Sequence, residues 1–102
     1  MIRSSVVTLI RAIPEAHGIY EQPATETRTV PCYVMSVGRR EHYEAMSHGI
    51  HPEWVLLLGD YAEYQDEMTC EFEGRMYKIV RTYTRGDRRI ELTIERMASY
   101  DV

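Results

Sequence analysis

Ser36-Val-Gly-Arg-Arg-Glu-His-Tyr-Glu-Ala-Met-Ser-His-Gly-Ile-His-Pro-Glu-Trp54 is the one stretch of this chain that reads as a helix, and strand-like sequence lies on both sides of it. Tyr43, Met46 and Ile50 recur at three- and four-residue spacing, which puts them on one helical face. Arg39, Arg40, Glu44 and Ser47 fall toward water. Gly38 or Ser36 serves as N-cap, and Glu41 in the first turn opposes the positive end of the helix dipole. Gly49 supplies the left-handed residue that ends helices, Ile50 folds back onto the last turn, and Pro52 prevents the helix from resuming. The reading is a short helix interrupting a β protein.

Outward from that helix, alternation and β-branched runs mark strands. Val6-Val-Thr-Leu-Ile-Arg-Ala-Ile13 is the first, ended by Pro14. Residues 15–27 are polar, carry Gly18 and Pro23, and read as a loop of the length that usually contacts something else. Arg28 to Val37 is the second strand. Its Pro31 requires an edge, a bulge or a position near the strand start. Trp54-Val-Leu-Leu-Leu-Gly59 is a continuous apolar run too short for a helix. It predicts a strand buried on both faces, one by the interior and one by the helix or a neighbouring subunit. Asp60 to Glu67 is an acidic connection.

Met68, Cys70 and Phe72 alternate with Thr69 and Glu71, so the former point inward. Glu73-Gly74 has tight-hairpin chemistry. Arg75 to Thr84 returns, with Tyr77, Ile79 and Tyr83 on one face. Arg85 to Arg88 turns again, and Arg89 to Glu95 closes the pattern with Ile90, Leu92 and Ile94 inward. Six strands in 102 residues predict a mainly β fold, a small six-stranded antiparallel barrel or sandwich with one short α-helix between strands 2 and 3. The chain is expected to form a single domain over 1–102, with the barrel at about 6–96 and a loose tail at 97–102.

Composition excludes several function classes. Hydrophobic content of 44% and charged content of 27% are those of an ordinary globular chain, and the net charge of −4 argues against a protein held to nucleic acid by phosphate contacts. No apolar run approaches the ~20 residues of a membrane-spanning helix, and Met1 to Ser5 shows no signal-peptide pattern. Cys32 and Cys70 lack metal-site or redox spacing and read as buried reduced thiols.

His42, His48 and His51 lie near Glu41, Glu44 and Glu53. His42 and His48 are six residues apart and face different sides of a helix, so they do not chelate as an i, i+4 pair would. No nucleophile elbow, phosphate loop or carboxylate pair in an apolar setting is present. Neither catalysis nor a cofactor is expected. Arg85-Gly86-Asp87 matches an integrin-binding tripeptide, but it falls where a turn is needed. Eight tyrosines are many for this length, and Tyr20, Tyr61 and Tyr64 sit in connecting segments, either as a barrel rim or as interface material.

The order of these pieces resembles a known family. Ser36-Val37, Arg40-Glu41, Tyr43, Ala45, Gly49 and Pro52-Glu53 precede an apolar strand. Then come Phe72-Glu73-Gly74, Tyr77, Ile79, Arg81, Tyr83, Gly86-Asp87 and Ile90-Glu91-Leu92. Across roughly residues 6–96 this is similar to the head–tail joining proteins of long-tailed bacteriophages and prophages, also called head-closure, adaptor or stopper proteins. The resemblance implies a non-enzymatic virion protein, assembled in the bacterial host cytoplasm and resident at the head–tail junction.

It also implies a small β-barrel that forms a ring with copies of itself, typically dodecameric, beneath the portal or adaptor ring. Such a ring closes the DNA-filled head and docks the tail terminator or tail tube protein, while genomic DNA passes without specific binding. An acidic wall suits that passage, since it repels phosphate. The link between strands 2 and 3 is shorter and more regular here than in relatives where it plugs the channel. The candidate interface residues are Tyr20, Glu21, Tyr61 and Tyr64 in the loops, with Arg39, Arg40, His42 and Trp54 in and beside the helix. Two other readings compete: an OB-like barrel that binds single-stranded nucleic acid through tyrosines, and a small metal-dependent enzyme using the histidine cluster.

Overall fold

The computed structural model describes residues 3–13 and 24–97. The elements are β1 (Arg3–Ile13), β2 (Ala24–Ser36), α1 (Arg39–Met46), β3 (Trp54–Leu58), a 3-10 turn (Tyr61–Glu63), β4 (Thr69–Phe72), β5 (Arg75–Thr84) and β6 (Ile90–Arg96). The strands form a closed antiparallel barrel in the order β1-β2-β3-β6-β5-β4. Closure is made by Thr8, Leu9 and Ile10 of β1 pairing with Glu71, Cys70 and Thr69 of β4. The mainly β fold, its six strands and the placement of the helix are as the sequence predicts.

Period-2 alternation fills the interior. Val7 and Leu9, Val30, Cys32 and Val34, Leu56 and Leu58, Cys70 and Phe72, and Ile90, Leu92 and Ile94 all point in, with Tyr77 beside them. The Phe72 and Tyr77 rings meet edge-on with centroids 6.1 Å apart. Each such aliphatic or aromatic side chain contributes about 1.5–3 kcal/mol of transfer free energy. Burial pushes the Cys32 thiol up to about 11 and the Cys70 thiol up to about 12, so both are inert near neutral pH.

β1 and β2 run together without a bulge from Arg3–Val34 to Ile13–Ala24. Residues 24–27, expected in a loop, are therefore strand, because Thr25, Thr27 and Thr29 continue the β-branched pattern of the hairpin. The expected loop residues 15–23 lie outside the described residues, as do Pro14 and 98–102 of the expected tail. β3 reaches β2 only at Cys32–Ser36. Pro31 thus sits where β2 has a neighbour on one side, a position that tolerates a missing donor.

Two turns behave as read. Glu73 and Gly74 adopt φ of 53° and 80°, the left-handed pair of a two-residue hairpin. Arg85, Gly86 and Asp87 fall in the β5–β6 turn, where Asp87 Oδ2 accepts from Arg89 Nε at 2.8 Å and Arg85 Nε donates to Glu91 Oε2 at 2.8 Å.

Three expected orientations are overturned. On α1 the buried residue is Ala45, whereas Tyr43 is 67% and Met46 43% exposed. The spacing was right for a helix face, but the helix is rotated so that the small residue makes the close approach. Met68 is 76% exposed because β4 starts one residue later, after Asp66 takes a left-handed φ of 64° and Glu67 occupies the buried position. Tyr83 is exposed because the β5–β6 register slips between Ile79 and Arg81. The extra residue, Val80, turns every later side chain of β5 to the other face.

The helix ends are as read. Gly38 is the N-cap without a side-chain bond, Gly49 has φ of 79°, and the Ile50 amide returns to the Ala45 carbonyl at 3.0 Å. Val55 and Leu57 face away from the interior yet are 4% exposed each, so the outer face of β3 is covered within the single chain and needs no neighbouring subunit. Tyr43→Ala and Met46→Ala are expected to change stability by less than about 0.5 kcal/mol, whereas Ala45→Glu, which buries a charge, should cost more than about 2 kcal/mol in urea unfolding.

Candidate docking surfaces

The register places every connecting segment at one of two ends. Ser36 pairs with Trp54, and Arg96 with Tyr77, so the α1 link, the Glu73-Gly74 turn and the end of β6 share one end. Arg3 reaches Glu73 there at 2.6 Å. The opposite end holds the β1–β2 ribbon beyond Ile10, the connection from Asp60 to Met68, and the 85–89 turn. Arg88 joins two of these, with its guanidinium 4.8 Å from the Tyr61 ring centroid and 3.3 Å from Asp60 Oδ2.

At the helix end the link is anchored by its return limb. The Glu53 amide donates to the Ile94 carbonyl at 2.8 Å, the His51 amide to Glu95 Oε1 at 2.8 Å, and Arg96 Nη2 to Glu53 Oε2 at 2.9 Å. Burial, followed by the nearby Glu53 carboxylate, raises the Tyr77 phenol. What this anchoring presents outward is Arg39, Arg40, Tyr43 and Met46, all exposed. Arg39 and Arg40 have no ion pair among the described residues, and they occupy the first turn of α1, where the helix dipole is positive. Two cations at that end work against helix stability.

At the ribbon end a buried ion pair holds the connection. Arg28 follows the parity of Val30, Cys32 and Val34 and therefore points inward. Its Nη2 donates to Glu67 Oε2 at 2.7 Å and also to the Glu63 carbonyl. Glu67 is 2% exposed, accepts from the Gln65 amide at 2.7 Å, and its carbonyl accepts from the Tyr64 hydroxyl at 2.7 Å. Burial opposes its charged form, but the Arg28 and Gln65 hydrogen bonds outweigh burial and hold its carboxyl below the ordinary range. Asp60 caps the 3-10 turn by accepting from the Ala62 amide at 2.9 Å. That bond, with Arg88, lowers its carboxyl too.

The candidate residues divide between these ends. Arg39, Arg40 and His42 stand together on α1, with His42 half-buried edge-on to Tyr43. Trp54 is half-buried against the core under the Arg3 guanidinium, 5.9 Å from its centroid. Tyr61 and Tyr64 line a 330 Å³ groove with Asp66, Thr82, Thr84 and Ile90 at the other end, and Tyr64 packs partly on the core. Tyr20 and Glu21 lie outside the described residues.

The described residues contain no group of three or more His, Cys, Asp or Glu placed to hold a metal, and none of their helices is long and apolar enough to cross a membrane. Sequence reasoning missed the Arg28–Glu67 pair, though the inward parity of Arg28 is a signal for it, because an inward-facing arginine demands a carboxylate. It also missed the exposed Val6 and Tyr33 on the outer wall. No protein-family model matches the chain, and no curated protein matches it.

Removing Arg28 leaves Glu67 buried and unpaired. Arg28→Ala is expected to cost roughly 2–4 kcal/mol, less than for a fully buried pair because Arg28 is partly exposed. Glu67→Gln tests the charge. Since the folded-state carboxyl titrates below its unfolded value, its contribution is full above the unfolded range and fades as pH falls through the folded value. The stability gap between wild type and Glu67→Gln should be constant near neutrality and close below about pH 4 in chemical denaturation series.

Proposed function

We propose that this chain is a structural subunit of a phage head–tail junction, one copy in a ring that meets the head at one end of its barrel and the tail at the other. The observation that carries the reading is the two-ended layout. Arg39, Arg40, Tyr43 and Met46 are presented at one end, and Tyr61, its groove and the β1–β2 ribbon at the opposite end. A stacked connector needs two unlike axial faces on a rigid body, and a closed barrel with a filled interior supplies the rigidity. The resemblance in sequence order over residues 6–96 supports the same reading, as does the net charge of −4 for a wall beside sliding DNA. Ring contacts between copies are head-to-tail in character and fall on the barrel wall, where Val6 and Tyr33 are exposed.

The alternative, an OB-like barrel for single-stranded nucleic acid, calls for a basic groove with aromatic platforms. Among the described exposed aromatics only Tyr61 has an arginine over its ring.

Arg39→Glu and Arg40→Glu together separate function from fold. They place charges of the favoured sign at the helix N-terminus and are expected to leave stability unchanged or raise it by about 0.3–1 kcal/mol each. The same double variant should fail to sediment with portal-containing, DNA-filled heads that bind wild type. Undiminished binding would remove α1 from the docking face, and wild-type protein that ignores heads but binds oligonucleotides would replace the reading with the alternative.

A further inference from the structure

β2 carries a long free edge. Residues 25–30 pair with β1 on one side, and no described strand pairs with them on the other, since β3 begins its ladder at Cys32. Edges of this kind are usually blunted by lysine, proline, a bulge or an inward-pointing charge. Here there is no lysine, the β1–β2 register is unbroken, Pro31 stands only where the β3 ladder is about to start, and the inward charge, Arg28, is already matched by Glu67 of its own barrel. The edge reads Thr25-Glu26-Thr27-Arg28-Thr29, which is antisymmetric in charge about Thr27. Laid antiparallel on a copy of itself with Thr27 opposite Thr27, it sets Glu26 against Arg28 twice and Thr25 against Thr29 twice. Both are favourable cross-strand pairs.

From this self-complementarity we infer that the β2 edge pairs with the same edge of a second copy of this chain, giving a two-fold dimer with Thr27 on its axis. The side chains have capacity for this. Thr25, Thr27 and Thr29 are exposed on the outer face, and Glu26, about half exposed, accepts from Arg11 Nη2 at Oε1 at 2.6 Å and keeps Oε2 without a hydrogen bond among the described residues. Arg28 uses Nη2 for Glu67 and Glu63, while its Nε and Nη1 make no hydrogen bond among the described residues and can meet the partner's Glu26. Such a contact is isologous and closes at two copies. It is therefore additional to the head-to-tail faces of a ring, and it does not depend on the connector reading.

The test is register-specific cross-linking with sedimentation. Cys32 and Cys70 are buried, so introduced cysteines are the reactive ones. Wild type is expected to double in mass as concentration rises, and Glu26→Arg, which sets like charges opposite each other, to remain monomeric with an unchanged circular dichroism spectrum. Under mild oxidation Thr27→Cys should form a covalent dimer by itself. Thr25→Cys and Thr29→Cys should each form no covalent dimer alone and a covalent mixed dimer when combined. Wild type that stays monomeric at every concentration, or cysteine variants that cross-link without this register preference, would overturn the inference.

Discussion

Three residue pairs between β1 and β4 close this barrel, and the other features of its ribbon end follow from how short that ladder is. β4 is four residues long and meets an eleven-residue β1, so β1 and its hairpin partner β2 must overrun the sheet. The overrun is the ribbon. The connection from Asp60 to Met68 runs beneath it without a ladder of its own, tied by the Tyr61 amide to the Arg88 carbonyl and by the Ile79 amide to the Met68 carbonyl, and takes a further tether. Arg28 supplies that tether from β2, through Glu67 and the Glu63 carbonyl. Short neighbours on both sides, β4 beside β1 and β3 beside β2, thus create the overhanging edge, and the partly buried charge pair seals the space beneath it.

The opposite end is arranged by different means. There the link between β2 and β3 is gathered by backbone bonds to β6 and by the carboxylates of Glu53 and Glu95, which leaves α1 held at its base. A helix of two turns with one buried alanine gains little from packing and little from its own propensity. It also carries two arginines at its positive end, where Glu41 alone of the first-turn charges favours the helix.

Much of the barrel is legible in the sequence wherever one rule acts alone. Ile90, Leu92 and Ile94 alternate and point inward, Glu73-Gly74 makes its two-residue turn, and Val55 to Leu58 is buried on both faces. The misreadings occur where a second constraint enters. Spacing on α1 groups Tyr43 with Met46 but does not say which way the helix is turned, and the close approach of Ala45 decides that. Val80 adds a residue to β5 and turns Tyr83 outward, and a bulge leaves no mark in a run of strand-forming residues. Met68 obeys alternation only if β4 begins there, and the left-handed Asp66 prevents it. Of the candidate site, Arg39 and Arg40 are exposed as read, while Trp54 and Tyr64 are partly consumed by the core. Aromatic side chains look alike in a sequence whether they anchor a partner or close a barrel end.

The claim that ties these observations together is that the two ends of the barrel engage different partners. Amide hydrogen exchange of the subunit, first on DNA-filled heads and then after addition of tails, tests it most directly. The account predicts protection at one end on the heads, at either residues 39–50 or residues 60–68, and new protection at the opposite end when tails are added. Protection of the same end in both steps, or of neither end, would contradict it.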